Sequence, residues 1–167
     1  RRYFPKCVFI TGNHDPMVRI PRLISDHPIL EGFVKDDCAE WLESEFNFEV
    51  IPYQEIYNLE GIRFSHYFSN AWSAKKGNLS GTIENMIKNA GFSFCQGHQQ
   101  GLKIGKRKLG DGTERLGIVA GSFYDHFETY EGVQGCNNWH GIVHLRNVSD
   151  GTADIQEISI ETLKREY

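Results

Sequence analysis

The sequence predicts a mixed α/β domain, and three observations lead to this prediction. Short apolar runs rich in β-branched and aromatic residues alternate with helical periodicity in the N-terminal half. Pairs of apolar runs joined by glycine-containing turns dominate the C-terminal half and indicate β-hairpins. The 167 residues, 40% of them hydrophobic, also supply enough apolar material for one domain with a core. Strands that alternate with helices and are followed by hairpins are typical of a mixed α/β fold.

Local signals place the elements of the N-terminal half. Lys6–Thr11 is a short apolar run that ends at a Gly-Asn turn, as a buried strand does. The helical spacing of Asp37–Phe46 predicts a helix, with Asp36 or Asp37 as its N-cap. Two more strands are predicted, the second folded into a hairpin by a Glu-Gly turn, and they lie at Phe48–Pro52 and Tyr57–Tyr67.

The C-terminal half contains one further helix and several hairpin strands. The helix spans Ser80–Ala90, where Ser80 can cap the first turn and Gly91 can end the helix. Residues 122–138 have little periodicity and are predicted to form a long surface loop. The predicted strands are Phe92–Gln96, the hairpin of Leu102–Leu109 with Glu114–Ala120, and the final pair of Gly141–Val148 with Ala153–Ile160.

Composition and charge exclude several classes of protein. The net charge of −4 and the pI near 6.0 argue against a general nucleic-acid coat protein, which would carry a broad basic surface. No apolar run approaches the ~20 residues that span a bilayer, so no membrane association is predicted. The cysteines are scattered and form no C-x-x-C pair, which predicts reduced thiols in a cytoplasmic protein; they are Cys7, Cys38, Cys95 and Cys136.

Polar residues suited to metal binding and proton transfer follow three of the predicted strands. They are Gly12-Asn13-His14-Asp15 after the first strand, His66 at the end of the hairpin strand, and His98 after the strand Phe92–Gln96. Asn13 offers a neutral oxygen ligand, and His14 can donate a proton with Asp15 to orient it. Asn13, His66 and His98 could therefore converge on one ion. Oxygen and imidazole ligands together suit manganese, iron, zinc or nickel rather than calcium.

These motifs together resemble those of the calcineurin-like metallophosphoesterases. Gly12-Asn13-His14-Asp15 is similar to the family's GNH(D/E) signature, His66 to its lone His, and Gly97-His98 to the start of its GH-x-H motif. Phage-type phosphoesterases look most similar, because they carry stretches like G-H-Q-Q-G, G-S-F-Y and W-x-G-I-V; here these lie at residues 97–101, 121–124 and 139–143. The resemblance covers nearly all of the 167 residues.

The resemblance implies a fold, a reaction and a role for each motif residue. The fold would be a two-sheet sandwich flanked by helices (αββα), and the reaction would be hydrolysis of phosphomonoesters or phosphodiesters by a metal-activated hydroxide. The intact protein would hold two divalent metal ions, with manganese favoured over iron, zinc or nickel. Asn13, His66 and His98 would bind the second ion. His14 would act as general acid toward the leaving oxygen or stabilise charge on the phosphoryl group, with Asp15 behind it. The expected substrates are phosphate esters, nucleotides and nucleic acids among them.

Two departures from the family pattern limit this prediction. The family's D-x-H and G-D-x-x-D motifs should precede Gly12, so we expect residues 1–167 to be the C-terminal portion of a single phosphoesterase domain whose N-terminal part is missing. Gln100 stands where commoner members have a His that binds the first metal. It could bind an ion through its amide oxygen, support another ligand, or be a bystander. Both departures also fit an alternative function, a catalytically degenerate binding module.

A basic cluster follows the His98 motif on the predicted hairpin. Its members are Lys103, Lys106, Arg107, Lys108 and Arg115. Lysines on an exposed edge strand deter aggregation, and this structural interpretation is favoured. The alternative is a rim that steers phosphate-containing substrates. The histidines outside the motifs are predicted to be structural or loop residues; they include His126, His140 and His144.

Overall fold

The computed structural model describes residues 6–70, 77–125 and 138–167. These residues form helices and several β-sheets, which confirms the prediction of a mixed α/β protein. The chain divides into two compact units, residues 1–57 and residues 58–167. Within the described residues, no helix is both long enough and apolar enough to cross a membrane.

In the first unit, two parallel strands pair with each other and are connected by two helices. Its elements are β1 (Cys7–Ile10), α1 (Pro16–Asp26), a 3-10 turn (Pro28–Leu30), α2 (Cys38–Phe46) and β2 (Phe48–Ile51). Cys7 lies opposite Phe48 in the parallel register, and the pairing continues to the end of both strands. Parallel strands need a long crossover, and the two helices provide it.

Helix α1 was not predicted from the sequence, because Pro21 lies inside it. A proline within a helix removes one backbone hydrogen bond and disfavours the helical conformation. Two local features compensate. Pro16 occupies the first turn, where its missing N–H leaves no bond unmade. Met17, Ile20 and Ile24 share one helix face and are all partly buried, so the amphipathic pattern holds the helix in place.

The second unit is built on a five-stranded sheet with strand order β3-β4-β5-β7-β6. The strands β4, β5 and β7 run parallel, and β6 pairs antiparallel with β7. A separate hairpin is formed by β8 and β9. The elements are β3 (Tyr57–Leu59), β4 (Ile62–Ser65), α3 (Ile83–Ala90), β5 (Ser93–Gln96), β6 (Leu102–Lys108), β7 (Glu114–Ala120), β8 (Gly141–Ser149), β9 (Thr152–Ser159) and α4 (Ile160–Glu166).

The core of the second unit lies on both faces of this sheet. On one face, α3 buries Met86 and Ile87 against Phe94 of β5. The helix lies directly on the strands, since a Cβ atom added at Gly117 would come within 2.6 Å of the Ile87 side chain. On the other face, Leu116 and other buried sheet residues pack against side chains of β8 and β9. The unit therefore has a helix, a sheet and a hairpin in successive layers.

The start of α3 and the end of the last strand differ from the sequence predictions. The helix expected at Ser80 begins at Ile83 instead, because Thr82 is the N-cap and its hydroxyl accepts a bond from the Asn85 N–H at 3.4 Å. Gly91 ends that helix at φ +73°, as predicted. The final strand stops at Ser159, whose hydroxyl caps α4. Most of the loop predicted at residues 122–138 lies outside the described residues, as do His126 and Cys136.

Candidate functional site

The Gly12-Asn13-His14-Asp15 motif forms the turn between β1 and α1. The strand is anchored just before it, where the buried Thr11 donates its N–H to the Ile51 carbonyl at 3.0 Å. The Asp15 carboxylate accepts the Gly12 N–H at 2.6 Å, and the Asp15 N–H donates to the Gly12 carbonyl at 3.2 Å. These two bonds close a tight loop. The partly buried Asn13 and the exposed His14 lie at its tip.

Within this loop, His14 pairs with an arginine. The Nδ1 atom of His14 lies against the Arg19 guanidinium, on the first turns of α1. A guanidinium only donates hydrogen bonds, so Nδ1 must carry the lone pair and Nε2 the ring proton. The Asp15 carboxylate bonds to the Gly12 N–H, and its predicted role in orienting His14 stays a prediction. The guanidinium of Arg19 contacts the imidazole directly.

The second group of motif residues lies at one edge of the five-stranded sheet. Strands β4 and β5 are parallel and in register, with Ser65 opposite Gln96 at their carboxyl ends. His66 and His98 follow these strand ends and consequently emerge side by side. The Nε2 atom of His66 lies 3.1 Å from Nδ1 of His98, and the ring centroids are 5.0 Å apart.

The backbone at His98 turns sharply to make this contact. His98 has φ +61°, in the left-handed region, and the Gln99 N–H bonds the Gly97 carbonyl at 2.7 Å. Histidine is several-fold enriched among the non-glycine residues that adopt this conformation. Gly97 packs against His66, whose carbonyl would lie 3.7 Å from an added Cβ atom. The turn thus directs the His98 ring back toward the end of the neighbouring strand.

A third side chain completes this group. Asn78 places its amide Nδ2 at 2.8 Å from Nε2 of His98, so both ring nitrogens of His98 have partners. Asn78 is held by backbone bonds on either side, from Asn70 N–H to the Gly77 carbonyl at 2.8 Å and from Leu79 N–H to the Phe68 carbonyl at 2.6 Å. We call His66, Asn78 and His98 the imidazole cluster.

Two glutamines anchor the segment that carries Asn78. The side chain of Gln96, 1% exposed, accepts the Phe68 N–H at 3.3 Å and donates to the Leu79 carbonyl at 3.2 Å. Gln99 donates to the same carbonyl at 2.8 Å. Leu79 is itself fully buried. The strand end at β5 and the segment before α3 are therefore tied together directly beneath the imidazole cluster.

Gln100 lies beside these residues but is engaged elsewhere. Its Oε1 atom accepts the Tyr124 hydroxyl at 2.6 Å, and the Tyr124 carbonyl in turn lies 2.7 Å from Nδ1 of His140. The sequence left the role of Gln100 open, and this contact links it to the segment around Tyr124.

The basic cluster is partly committed to contacts within the protein. Lys103 donates to the Gly81 carbonyl at 3.1 Å and to Gln99 Oε1 at 3.0 Å, and Lys106 pairs with Glu114 at 3.2 Å. These contacts favour the structural interpretation of the cluster over a substrate-steering rim, at least for these two lysines.

The imidazole cluster fits a divalent metal ion in one respect and is incomplete in another. Two imidazole nitrogens 3.1 Å apart are close enough for both to bind one ion at bond lengths of ~2.1 Å. Throughout residues 6–70, 77–125 and 138–167, however, no three His, Cys, Asp or Glu side chains are grouped so that they could hold a metal ion. Any further ligand from the described residues would have to be a neutral oxygen.

The structure therefore brings together some of the predicted site residues. It joins His66 with His98, and it places Gln100 two residues further along the same turn. Asn13, His14 and Asp15 belong to the first unit. The sequence did not indicate Arg19 or Asn78 as partners of these histidines.

No protein-family model, curated protein or solved structure matches the chain. The similarity to calcineurin-like metallophosphoesterases consequently rests on the motifs and on their positions at strand ends. Membership of that family stays a prediction, and the function that follows from it is a proposal.

Proposed function

We propose that this chain contributes the metal-binding and proton-donating residues of a metal-dependent phosphate ester hydrolase. The observation that supports the proposal best is the pairing of His66 with His98. These residues are 32 positions apart in the sequence, yet their ring nitrogens lie 3.1 Å apart at the ends of adjacent parallel strands. The carboxyl ends of parallel strands are where α/β proteins commonly bind their ligands.

The proposed ligands in the second unit are His66 and His98, with Gln100 as a further candidate. Asn13, in the first unit, is proposed as a ligand from the resemblance alone. A divalent ion held there would supply Lewis acidity toward a phosphoryl oxygen. Manganese is the favoured ion, because oxygen and imidazole ligands suit it and because the resemblance points to it. A second ion would need ligands other than these side chains.

His14 is the proposed general acid. In the neutral ring, the contact with Arg19 leaves the proton on Nε2, which can donate a hydrogen bond to a leaving oxygen. Transfer of a proton to that oxygen requires the imidazolium form of His14 and leaves the neutral imidazole behind. Asp15 supports this role indirectly, by closing the loop through its bond to the Gly12 N–H. Proton transfer of this kind typically contributes about 10²–10⁴-fold to the rate of a hydrolytic reaction.

The proposed fold is the helix-flanked two-sheet sandwich of the metallophosphoesterases. The layering within the second unit supports it, because α3 covers one face of the five-stranded sheet and the β8–β9 hairpin covers the other. The parallel strands of the first unit, joined through α1 and α2, are also consistent with a mixed α/β sandwich.

The first test is metal binding by the whole 167-residue chain. We expect Mn²⁺ titration calorimetry to detect binding that falls at least about tenfold in both His66→Ala and His98→Ala, because each removes one ligand. His144→Ala is the matched control, since His144 is exposed on β8 and lies outside the motifs. Equal binding by all four proteins, or none by the unmodified chain, would overturn the proposal.

The second test is hydrolysis of bis-p-nitrophenyl phosphate and p-nitrophenyl phosphate with Mn²⁺. We expect His14→Ala to lower kcat by about 10²-fold or more while Mn²⁺ affinity stays unchanged, because His14 donates a proton and does not bind the ion. A His14 variant that turns over both esters at the normal rate would remove His14 from the mechanism.

One observation favours the second candidate function, a phosphoesterase-like binding module without catalysis. Gln100 replaces the His of the commoner motif, and its amide oxygen already accepts the Tyr124 hydroxyl. This function predicts Mn²⁺ binding that depends on His66 and His98 but no turnover of either ester. The same two measurements therefore distinguish the enzyme from the module.

A further inference from the structure

Both ring nitrogens of His98 have a fixed partner, and the two partners are of different kinds. Nδ1 faces Nε2 of His66 at 3.1 Å, and Nε2 faces the Asn78 amide at 2.8 Å. A neutral imidazole carries its proton on only one of these nitrogens. The hydrogen bond made by one nitrogen determines which nitrogen is free to bind a metal.

We propose that Asn78 is a positioning residue whose amide orientation is coupled to the tautomer of His98. In the structure, the Asn78 Nδ2 group donates to Nε2 of His98, so the ring proton lies on Nδ1 and is donated to His66. A rotation of the Asn78 amide by ~180° presents its oxygen instead. The oxygen then accepts from Nε2–H, and the Nδ1 lone pair becomes available beside His66.

An amide is the side chain that this switch requires. Asparagine can donate to an imidazole or accept from it, so the hydrogen bond to His98 survives in either tautomer. A carboxylate can only accept and would hold the proton on Nε2 permanently. An apolar side chain would leave Nε2 without a protein partner. Hydrogen bonds of this type to metal-binding histidines typically change metal affinity by about 10–100-fold.

The position of Asn78 is held from both directions along the chain. Backbone bonds to Phe68 and Asn70 flank it, and the buried Leu79 beside it offers its carbonyl to two glutamine side chains. The chain on either side of Asn78 is thus fixed, and only its side-chain amide needs to rotate. This is the arrangement expected of a residue that orients an imidazole, and it differs from that of an exposed loop asparagine.

The tautomer can be measured without any metal. Long-range ¹H–¹⁵N spectra of the metal-free chain at pH ~8 distinguish the two neutral forms of a histidine ring, with His98→Ala identifying the signals. We expect Nδ1–H in the unmodified protein, Nε2–H in Asn78→Asp, and a mixture in Asn78→Leu. The same tautomer in all three proteins would overturn the inference. Asn78→Asp keeps the size and polarity of the side chain, so it remains informative if Asn78→Leu does not fold.

The inference also implies that Asn78 affects metal binding by His98. This implication rests on the proposed function, and Mn²⁺ calorimetry tests it. We expect Asn78→Leu to bind Mn²⁺ about 10–100-fold more weakly, and Asn78→Asp to bind at least as tightly as the unmodified chain. Ser80→Ala, an exposed change on the same segment, should leave affinity unchanged. Unchanged affinity in Asn78→Leu would contradict the positioning role. If the unmodified chain binds no Mn²⁺, the proposed function fails, and the spectra still decide the role of Asn78.

Discussion

The two groups of motif residues are built in opposite ways. In the loop after β1, Gly12 bonds to Asp15 and His14 pairs with Arg19, contacts that span three and five positions in the sequence. In the imidazole cluster, His98 meets a histidine 32 positions away and an asparagine 20 positions away. The loop is therefore a local structure, whereas the cluster exists only where distant segments have folded together.

This difference makes the imidazole cluster dependent on the core and on strand register. His66 and His98 emerge together because Ser65 and Gln96 are paired at the ends of β4 and β5. A slip of one residue in that register would turn the side chains of a strand to the opposite face. Buried residues such as Phe94 oppose such a slip, because it would expose them. The following predictions test how far each group depends on its surroundings.

The largest effect is expected from Phe94→Ala, which should destabilise the protein by about 3–5 kcal/mol. Phe94 is fully buried on β5 and packs edge-to-face with Phe68, so the truncation leaves a cavity in the core between the sheet and α3. Urea unfolding measures the loss. Phe33→Ala is the control, because Phe33 is 85% exposed and should change stability by no more than ~0.5 kcal/mol. Equal losses in the two variants would show that the core does not support β5.

Gln96→Leu should lower the free energy of unfolding by a smaller amount, about 1–3 kcal/mol. The change leaves the Phe68 N–H buried without its partner, while the Leu79 carbonyl keeps its bond from Gln99. Gln99→Leu is the matched variant and should be less costly, because it leaves no backbone N–H unpaired. Urea unfolding of the two variants shows which substitution lowers stability more. If Gln99→Leu were the more damaging, the anchoring role assigned to Gln96 would be incorrect.

Asp15→Ala should lower the free energy of unfolding by about 1 kcal/mol, because the Gly12 N–H in the turn before α1 loses its acceptor. Asp15→Asn should be milder, since the amide oxygen can still accept that bond. The local character of the loop predicts that neither variant alters the His98 ring signals in long-range ¹H–¹⁵N spectra. A change in those signals would show that the two groups are coupled.

The smallest effect on stability at neutral pH is expected from the ionisation of the Cys95 thiol. This thiol lines an apolar cleft of about 320 Å³ between the sheet and β8, and burial raises its pKa to about 12. Its ordinary pKa is ~8.5. Because the pKa is raised on folding, the contribution of Cys95 to stability is complete below pH ~8.5 and is lost as the pH rises toward about 12.

Thiol labelling provides the measurement for Cys95. At pH 8 the thiolate fraction of a group with this pKa is on the order of 10⁻⁴, so iodoacetamide should modify it at least about tenfold more slowly than Cys38 of α2. Peptide mass mapping reports each cysteine separately. Similar rates at the two positions would show that the interior under β8 is not apolar in solution.

Local signals in the sequence explain which elements could be predicted. The strands and hairpins of the second unit follow from alternating apolar runs and from turn residues such as Gly61 and Gly151, which adopt positive φ. Helix α1 was missed because Pro21 argues against it locally, whereas packing of its partly buried face favours it. The start of α3 was misplaced because Ser80 and Thr82 are both plausible caps, and the sequence alone does not rank them.

The sequence by itself determined the mixed α/β class, the order of most elements, and the positions of His14, His66 and His98 just beyond strand ends. Only the tertiary structure decided which side chains meet: Asn78 with His98, Arg19 with His14, and Tyr124 with Gln100. Secondary structure follows periodicities within a few neighbouring residues, which a sequence displays directly. Partners from distant segments are chosen by sheet register and buried packing, and these emerge only when the chain is folded.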